Sequence, residues 1–147
     1  MLYVITGPPA GGKSTWIQAH ATPRDIVIDM DRIASALTGP GAPAWNQDPI
    51  VQRVAQRARF AAIDEAVKHL DDVDVYLIHT MPGPKALARY RQLHARIVVV
   101  DPGEDTVRER VKAMRSAGMD RVVTRWYGQH RRQGGSHPVT AQTSRDW

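Results

Sequence analysis

Near the N-terminus, Gly7, Gly12, Lys13 and Ser14 stand in the spacing G-x-x-x-x-G-K-[ST], a pattern whose chemistry is phosphate binding. Glycines let the backbone turn with its N–H groups pointing inward, and the first turn of a following helix adds unpaired N–H groups and a positive dipole end. The loop Gly7-Pro8-Pro9-Ala10-Gly11-Gly12-Lys13-Ser14-Thr15 is therefore the expected nucleotide cradle. Lys13 would reach the β- and γ-phosphates, and Ser14 offers a hydroxyl to Mg²⁺, a hard cation that takes oxygen ligands and keeps several waters.

A second group of chemically capable residues is Asp29-Met30-Asp31-Arg32. A carboxylate at Asp29 can accept an acceptor hydroxyl's hydrogen bond, orient it in line with the γ-phosphate and take its proton. Arg32, three residues on, can hold a phosphate of the acceptor. Phosphoryl transfer also needs cations around the moving group, and the segment Thr106 to Arg115 supplies Arg108, Arg110, Lys112 and Arg115. Arg53 and Arg57 are one helical turn apart and can meet one ligand.

The elements that must position these groups are legible from apolar runs and breaks. Leu2–Thr6 reads as a central parallel strand leading into the loop, and a helix from Lys13 to about His20 leads out of it. Ile26-Val27-Ile28 is a second strand that puts Asp29 at its C-terminal end, the edge where open α/β sheets bind ligands. Asp29 or Asp31 caps a helix from Arg32 to Leu37. A loop spans Gly39 to Pro49. From Ile50 to Leu70 the pattern is helical, with Val51, Val54, Ala55, Ala58, Ala62, Ala66 and Leu70 near one face and Arg53, Arg57 and Arg59 off it. Val75–Ile78 and Ile97–Val100 are the third and fourth strands, with a helix from Lys85 to Leu93 between them. Glu104–Arg115, whose Val107, Val111 and Met114 form an inward stripe, and a last helix from Asp120 to His130 follow. Strands alternating with helices argue for right-handed βαβ units and a parallel sheet.

The 147 residues fit one domain, able to bury about two-thirds of its unfolded surface. There is no cysteine, which excludes disulfide scaffolds, thiolate zinc and cysteine nucleophiles and makes a cytoplasmic location the expectation. No window approaches the roughly 18 apolar residues of a membrane span, and the apolar N-terminus runs into Gly7-Pro8-Pro9, unlike a signal peptide, so no membrane partner is expected. The formal charge of +5 is uneven: residues 1–75 carry −2 and residues 76–147 carry +7. A basic half suits nucleic acid, and equally a phosphate-handling enzyme. The stretch 133–147, rich in Gly, Ser, Thr and Gln, is expected to be a disordered tail after a domain of residues 1–132.

Gly7 to Trp16, Asp29-x-x-Arg32, Thr80 to Pro84 and Asp101-Pro102 through Tyr127 together resemble the phage-type polynucleotide 5′-kinase domain, within the small P-loop kinases that include zeta-toxin-like proteins. The resemblance covers nearly everything up to His130. It implies a three-layer P-loop NTPase fold of kinase type, with a parallel sheet of four to five strands and helices on both faces. It implies ATP as donor, Mg²⁺ as cofactor, Asp29 as general base, Arg32 on the acceptor phosphate, and Arg110 or Arg115 of a lid over residues 104–120 on the γ-phosphate. Adenine would pack near Arg125 to Tyr127. The chain departs from the family at His79, where an acidic residue often stands, and in the spacing of Arg110 and Arg115.

The leading expectation is ATP-dependent phosphorylation of the 5′-hydroxyl of a nucleic acid, with Asp29, Arg32, Arg53 and Arg57 on the acceptor side. The alternatives are a kinase of a nucleoside, nucleotide, other small molecule or hydroxymethylated base in DNA, and, behind these, a non-catalytic nucleotide-binding module.

Overall fold

The computed structural model describes residues 1–44, 47–114, 118–132 and 140–142. Five parallel strands form one sheet in the order β2-β3-β1-β4-β5: β1 Leu2–Thr6, β2 Ile26–Ile28, β3 Val75–Ile78, β4 Arg96–Val100 and β5 Thr140–Gln142. The helices are α1 Lys13–His20, α2 Met30–Leu37, α3 Pro49–Ala66, α4 Pro84–Gln92, α5 Glu104–Met114 and α6 Met119–Arg132.

Strand β1 lies between β3 and β4, with Tyr3 opposite both Tyr76 and Arg96. Successive side chains of a strand point to opposite faces, and here both faces are covered, which is why the strands read as unbroken apolar runs. Leu2, Val4 and Leu77 pack with Ile63, Ala66 and Tyr90 of α3 and α4, while Ile5, Tyr76 and Val98 pack with Trp16 and Ile17 of α1. A third cluster joins Val99 to Val107, Val111, Met119, Val123, Trp126 and Tyr127, seating the α5–α6 pair on the sheet. This is the expected three-layer arrangement.

Three details differ from the sequence reading. Thr140–Gln142, inside the stretch expected to be a disordered tail, pairs with Val98–Val100 as an edge strand; residues 133–139 and 143–147 lie outside the described residues. The buried face of α3 is Ala55, Arg59, Ile63 and Ala66, spaced i, i+4, i+8, i+11, so the apolar stripe is rotated from the expected one and includes an arginine; Val54 is exposed. Met114, expected to point inward, is exposed as well, at the last turn of α5.

Candidate active site

The phosphate loop takes its shape from contacts no other residue type would allow. Gly7 has φ +147°, and a Cβ there would stand 2.2 Å from the carbonyl oxygen of Val100; at Gly11 it would stand 2.8 Å from Pro8 O and 2.9 Å from Val100 O. Both are closer than real Cβ contacts, so the loop rests on the end of β4 only because it carries glycine. Ala10 (φ +58°) and Gly12 (φ +95°) turn the chain through the left-handed region. Gly11 N donates to Pro8 O at 3.0 Å, closing the turn. No side chain caps α1, which leaves its first-turn N–H groups available to an anion.

Lys13 folds back over this loop, its Nζ donating to Gly7 O at 2.9 Å and Pro8 O at 2.7 Å. Burial lowers its pKa to about 8, against the opposing pull of Asp31 and then Asp29. The charges of the two carboxylates of the next βα junction are therefore felt at the ammonium of the loop. Asp29 is buried and has both oxygens engaged: Oδ1 accepts from Asp31 N at 3.0 Å, capping α2, and Oδ2 lies 3.5 Å from Ser14 Oγ. That arrangement places it beside the loop. Asp31 opens to solvent. Partial enclosure of its carboxyl and the charge of Asp29 raise its pKa, with Lys13 opposing. The sequence reading left the cap of α2 open between Asp29 and Asp31; the cap is Asp29.

A hydroxyl and a carboxylate within 3.5 Å are the hard oxygen donors that Mg²⁺ accepts, a cation bound through one or two carboxylates plus substrate phosphates and water. Ser14 and Asp29 thus fit the implied ion. No group of three metal-ligating side chains occurs among the described residues, as such a site does not require one.

Arg110 reaches the loop from α5, donating to Ala10 O at 3.0 Å. Arg108, on the same helix, is instead held by Glu104 at 2.9 Å and Thr124 at 3.3 Å. Arg115 lies outside the described residues. Arg32, Arg53, Arg57 and Arg125 are exposed; Arg53 and Arg57 flank Ala55 on the solvent side of α3. Trp126 and Tyr127, placed near adenine by the resemblance, are buried. The indole of Trp126 donates to Thr80 O at 3.0 Å and the Tyr127 hydroxyl to Asp101 Oδ1 at 2.7 Å, so these rings fasten α6 to the ends of β3 and β4.

At the end of β3, Arg59 donates to Ile78 O at 3.1 Å, and His79 Nδ1 meets the Tyr90 hydroxyl at 2.7 Å. Burial, helped by the charge of Arg59, lowers the His79 pKa to about 4, which keeps the ring neutral. His79 is therefore a fixed, hydrogen-bonded residue. Arg59 escaped the sequence reading because neighbouring Arg53 and Arg57 made one polar face seem continuous.

Residues 2–132 match the family model described as AAA domain. A dephospho-CoA kinase of Chromobacterium violaceum is 31% identical over an alignment 147 positions long, covering 80% of this chain and 72% of that protein. A protein of Chloroflexus aurantiacus described as a candidate kinase superposes with a TM-score of 0.66 at 17% identity, covering 97% of this chain and 87% of its own. TT1252 of Thermus thermophilus superposes with a TM-score of 0.54 at 18% identity, covering 99% and 90%. At these identities the two solved structures bear on the fold alone.

Proposed function

The chain belongs to the AAA domain family as a P-loop kinase, and from that premise we propose that it transfers the γ-phosphate of ATP to a hydroxyl of a nucleotide-type small molecule. The observation that carries this reading is the contact of Ser14 Oγ with Asp29 Oδ2 at 3.5 Å, which sets the β2 carboxylates against the phosphate loop and Lys13. A relative named for dephospho-CoA, itself a nucleotide derivative, favours an acceptor of that class.

In this mechanism the loop N–H groups and the start of α1 hold the donor phosphates, and Lys13 leaves the carbonyls of Gly7 and Pro8 to take the β/γ oxygens. Ser14 and Asp29 would hold Mg²⁺, which would supply charge neutralisation for the phosphate oxygens. Asp31 accepts the acceptor's proton as its oxygen bonds the γ-phosphorus and the bond to the β–γ bridging oxygen breaks, leaving ADP. Its raised pKa strengthens it as a base. Arg110, poised at Ala10, stabilises the group in flight, and Arg32 steadies an anionic acceptor at the start of α2.

Labelled ATP offered with Mg²⁺ and a panel of dephospho-CoA, nucleosides, nucleoside monophosphates, hydroxymethyluracil DNA, and DNA and RNA bearing a 5′-hydroxyl tests the reading. Label on a nucleotide or dephospho-CoA supports it. The +7 charge of residues 76–147 favours a nucleic-acid 5′-end as the second reading, and label on the oligonucleotides would put that one first. ATP binding without transfer to any acceptor would leave a nucleotide-binding module.

A further inference from the structure

We propose that Arg59 forms the floor of a second anion seat, on the acceptor side of the site, that takes a phosphate group of the acceptor. Its role as an acceptor seat rests on the phosphotransfer reading above.

Arg59 is only 7% exposed, on the inward stripe of α3 between Ala55 and Ile63. A charge so placed is costly unless it is paired, yet no ion pair among the described residues includes it. Its hydrogen-bond partner is neutral, the carbonyl of Ile78 at 3.1 Å, and the Tyr90 hydroxyl lies beside it. The guanidinium has five N–H donors in a planar fork, so that one bond leaves donors over.

The position of those donors is set by the sheet. Ile78 ends β3, and its neighbour Leu77 lies opposite Ile28, the residue before Asp29. Arg59 therefore sits at the C-terminal edge between β2 and β3, close enough for its charge to be felt with that of Asp29. The Tyr90 hydroxyl is 2.7 Å from His79 Nδ1, which brings a neutral imidazole to the same edge. A fixed cation with spare N–H groups, beside a neutral imidazole and the β2 carboxylates, is a receptor for a phosphate oxyanion.

The test is calorimetric titration of inorganic phosphate into the full chain already saturated with Mg²⁺ and a non-hydrolysable ATP analogue, so that the phosphate loop is filled. One phosphate should bind, and Arg59→Met should weaken it at least tenfold while analogue affinity holds. Tyr90→Phe, which keeps the ring in the core, covers the case in which Arg59→Met does not fold; it should weaken phosphate several-fold. Where transfer is detected, Arg59→Met should also erase the KM preference for a nucleotide acceptor over its nucleoside. No phosphate bound by the saturated wild type, or equal affinity in Tyr90→Phe and any folded Arg59→Met, overturns the proposal. A phosphate seat that depends on Arg59, in a protein that transfers nothing to the acceptor panel, would keep the anion seat and sink the kinase reading instead.

Discussion

The hydroxyl of Ser14 stands 3.5 Å from Oδ2 of Asp29. One residue belongs to the helix that leaves the phosphate loop and the other follows the next strand, so their meeting ties the end of β2 to the loop. Asp29→Asn keeps the shape and the cap but removes the charge. Transfer should fall by about 10²-fold or more, with a raised Mg²⁺ requirement, while metal-free ATP affinity holds. An unchanged Mg²⁺ titration in the variant would remove Asp29 from the metal side.

Asp31→Asn should act differently. Loss of the base should lower kcat by about 10²–10⁴-fold with ATP affinity and Mg²⁺ requirement unchanged. In the wild type, the acid limb of the rate profile should lie above the ordinary aspartate range, because partial enclosure of the carboxyl and the charge of Asp29 raise the Asp31 pKa. A variant that retains that limb would assign it to another group.

Lys13 gives a pH dependence of the opposite sense. Its folded pKa is lowered to about 8 from 10.5, so between these values the free protein loses the ammonium that phosphates need. ATP affinity should drop above pH 8, by up to about tenfold per pH unit, with proton uptake on binding. By linkage, the unfolded chain holds more protons in that window, so the Lys13 contribution to stability rises with pH through it. Calorimetry in buffers of different ionisation heat measures the uptake, and Lys13→Met should show none.

Arg110→Ala removes the guanidinium held at Ala10 O, 3.0 Å away. We expect kcat to fall by about 10²-fold or more with little change in melting temperature, since the side chain is exposed. Single-turnover kinetics separates this from slow product release. A normal rate would end its transition-state role.

Tyr127→Phe deletes the 2.7 Å bond to Asp101. Asp101 still accepts from Gly103 N, so the loss should be about 1 kcal/mol of stability, read by urea denaturation. Nucleotide affinity should hold, because the ring serves the seat of α6. A selective loss of ATP binding would restore Tyr127 to the adenine site.

The sequence made the phosphate loop legible because its chemistry is local: glycines, lysine and serine within a few residues, with an apolar strand before them. The short run Ile26–Ile28 was enough to put Asp29 just past the end of a strand, whereas its choice over Asp31 as the cap of α2 is visible only in the hydrogen bond it accepts from Asp31 N. Arg59 was hidden by helix phase: a rotation of the buried stripe turns one arginine inward and leaves Arg53 and Arg57 outside. Strand β5 has no apolar run, and its pairing comes from backbone groups aligned along Val98–Val100. Trp126 and Tyr127 carry polar tips that suit either a ligand or a buried anchor. Only the packing partners decide.

The Val100 carbonyl under Gly7 has a consequence for the newborn chain. The first fifteen residues spell the nucleotide loop, but its floor is made by a strand that leaves the ribosome much later, and β1 gains its two neighbours only from β3 and β4. A nascent chain that ends before β4 has the motif without its shape. Nucleotide affinity is thus expected only once β4 has been made and the loop has its floor.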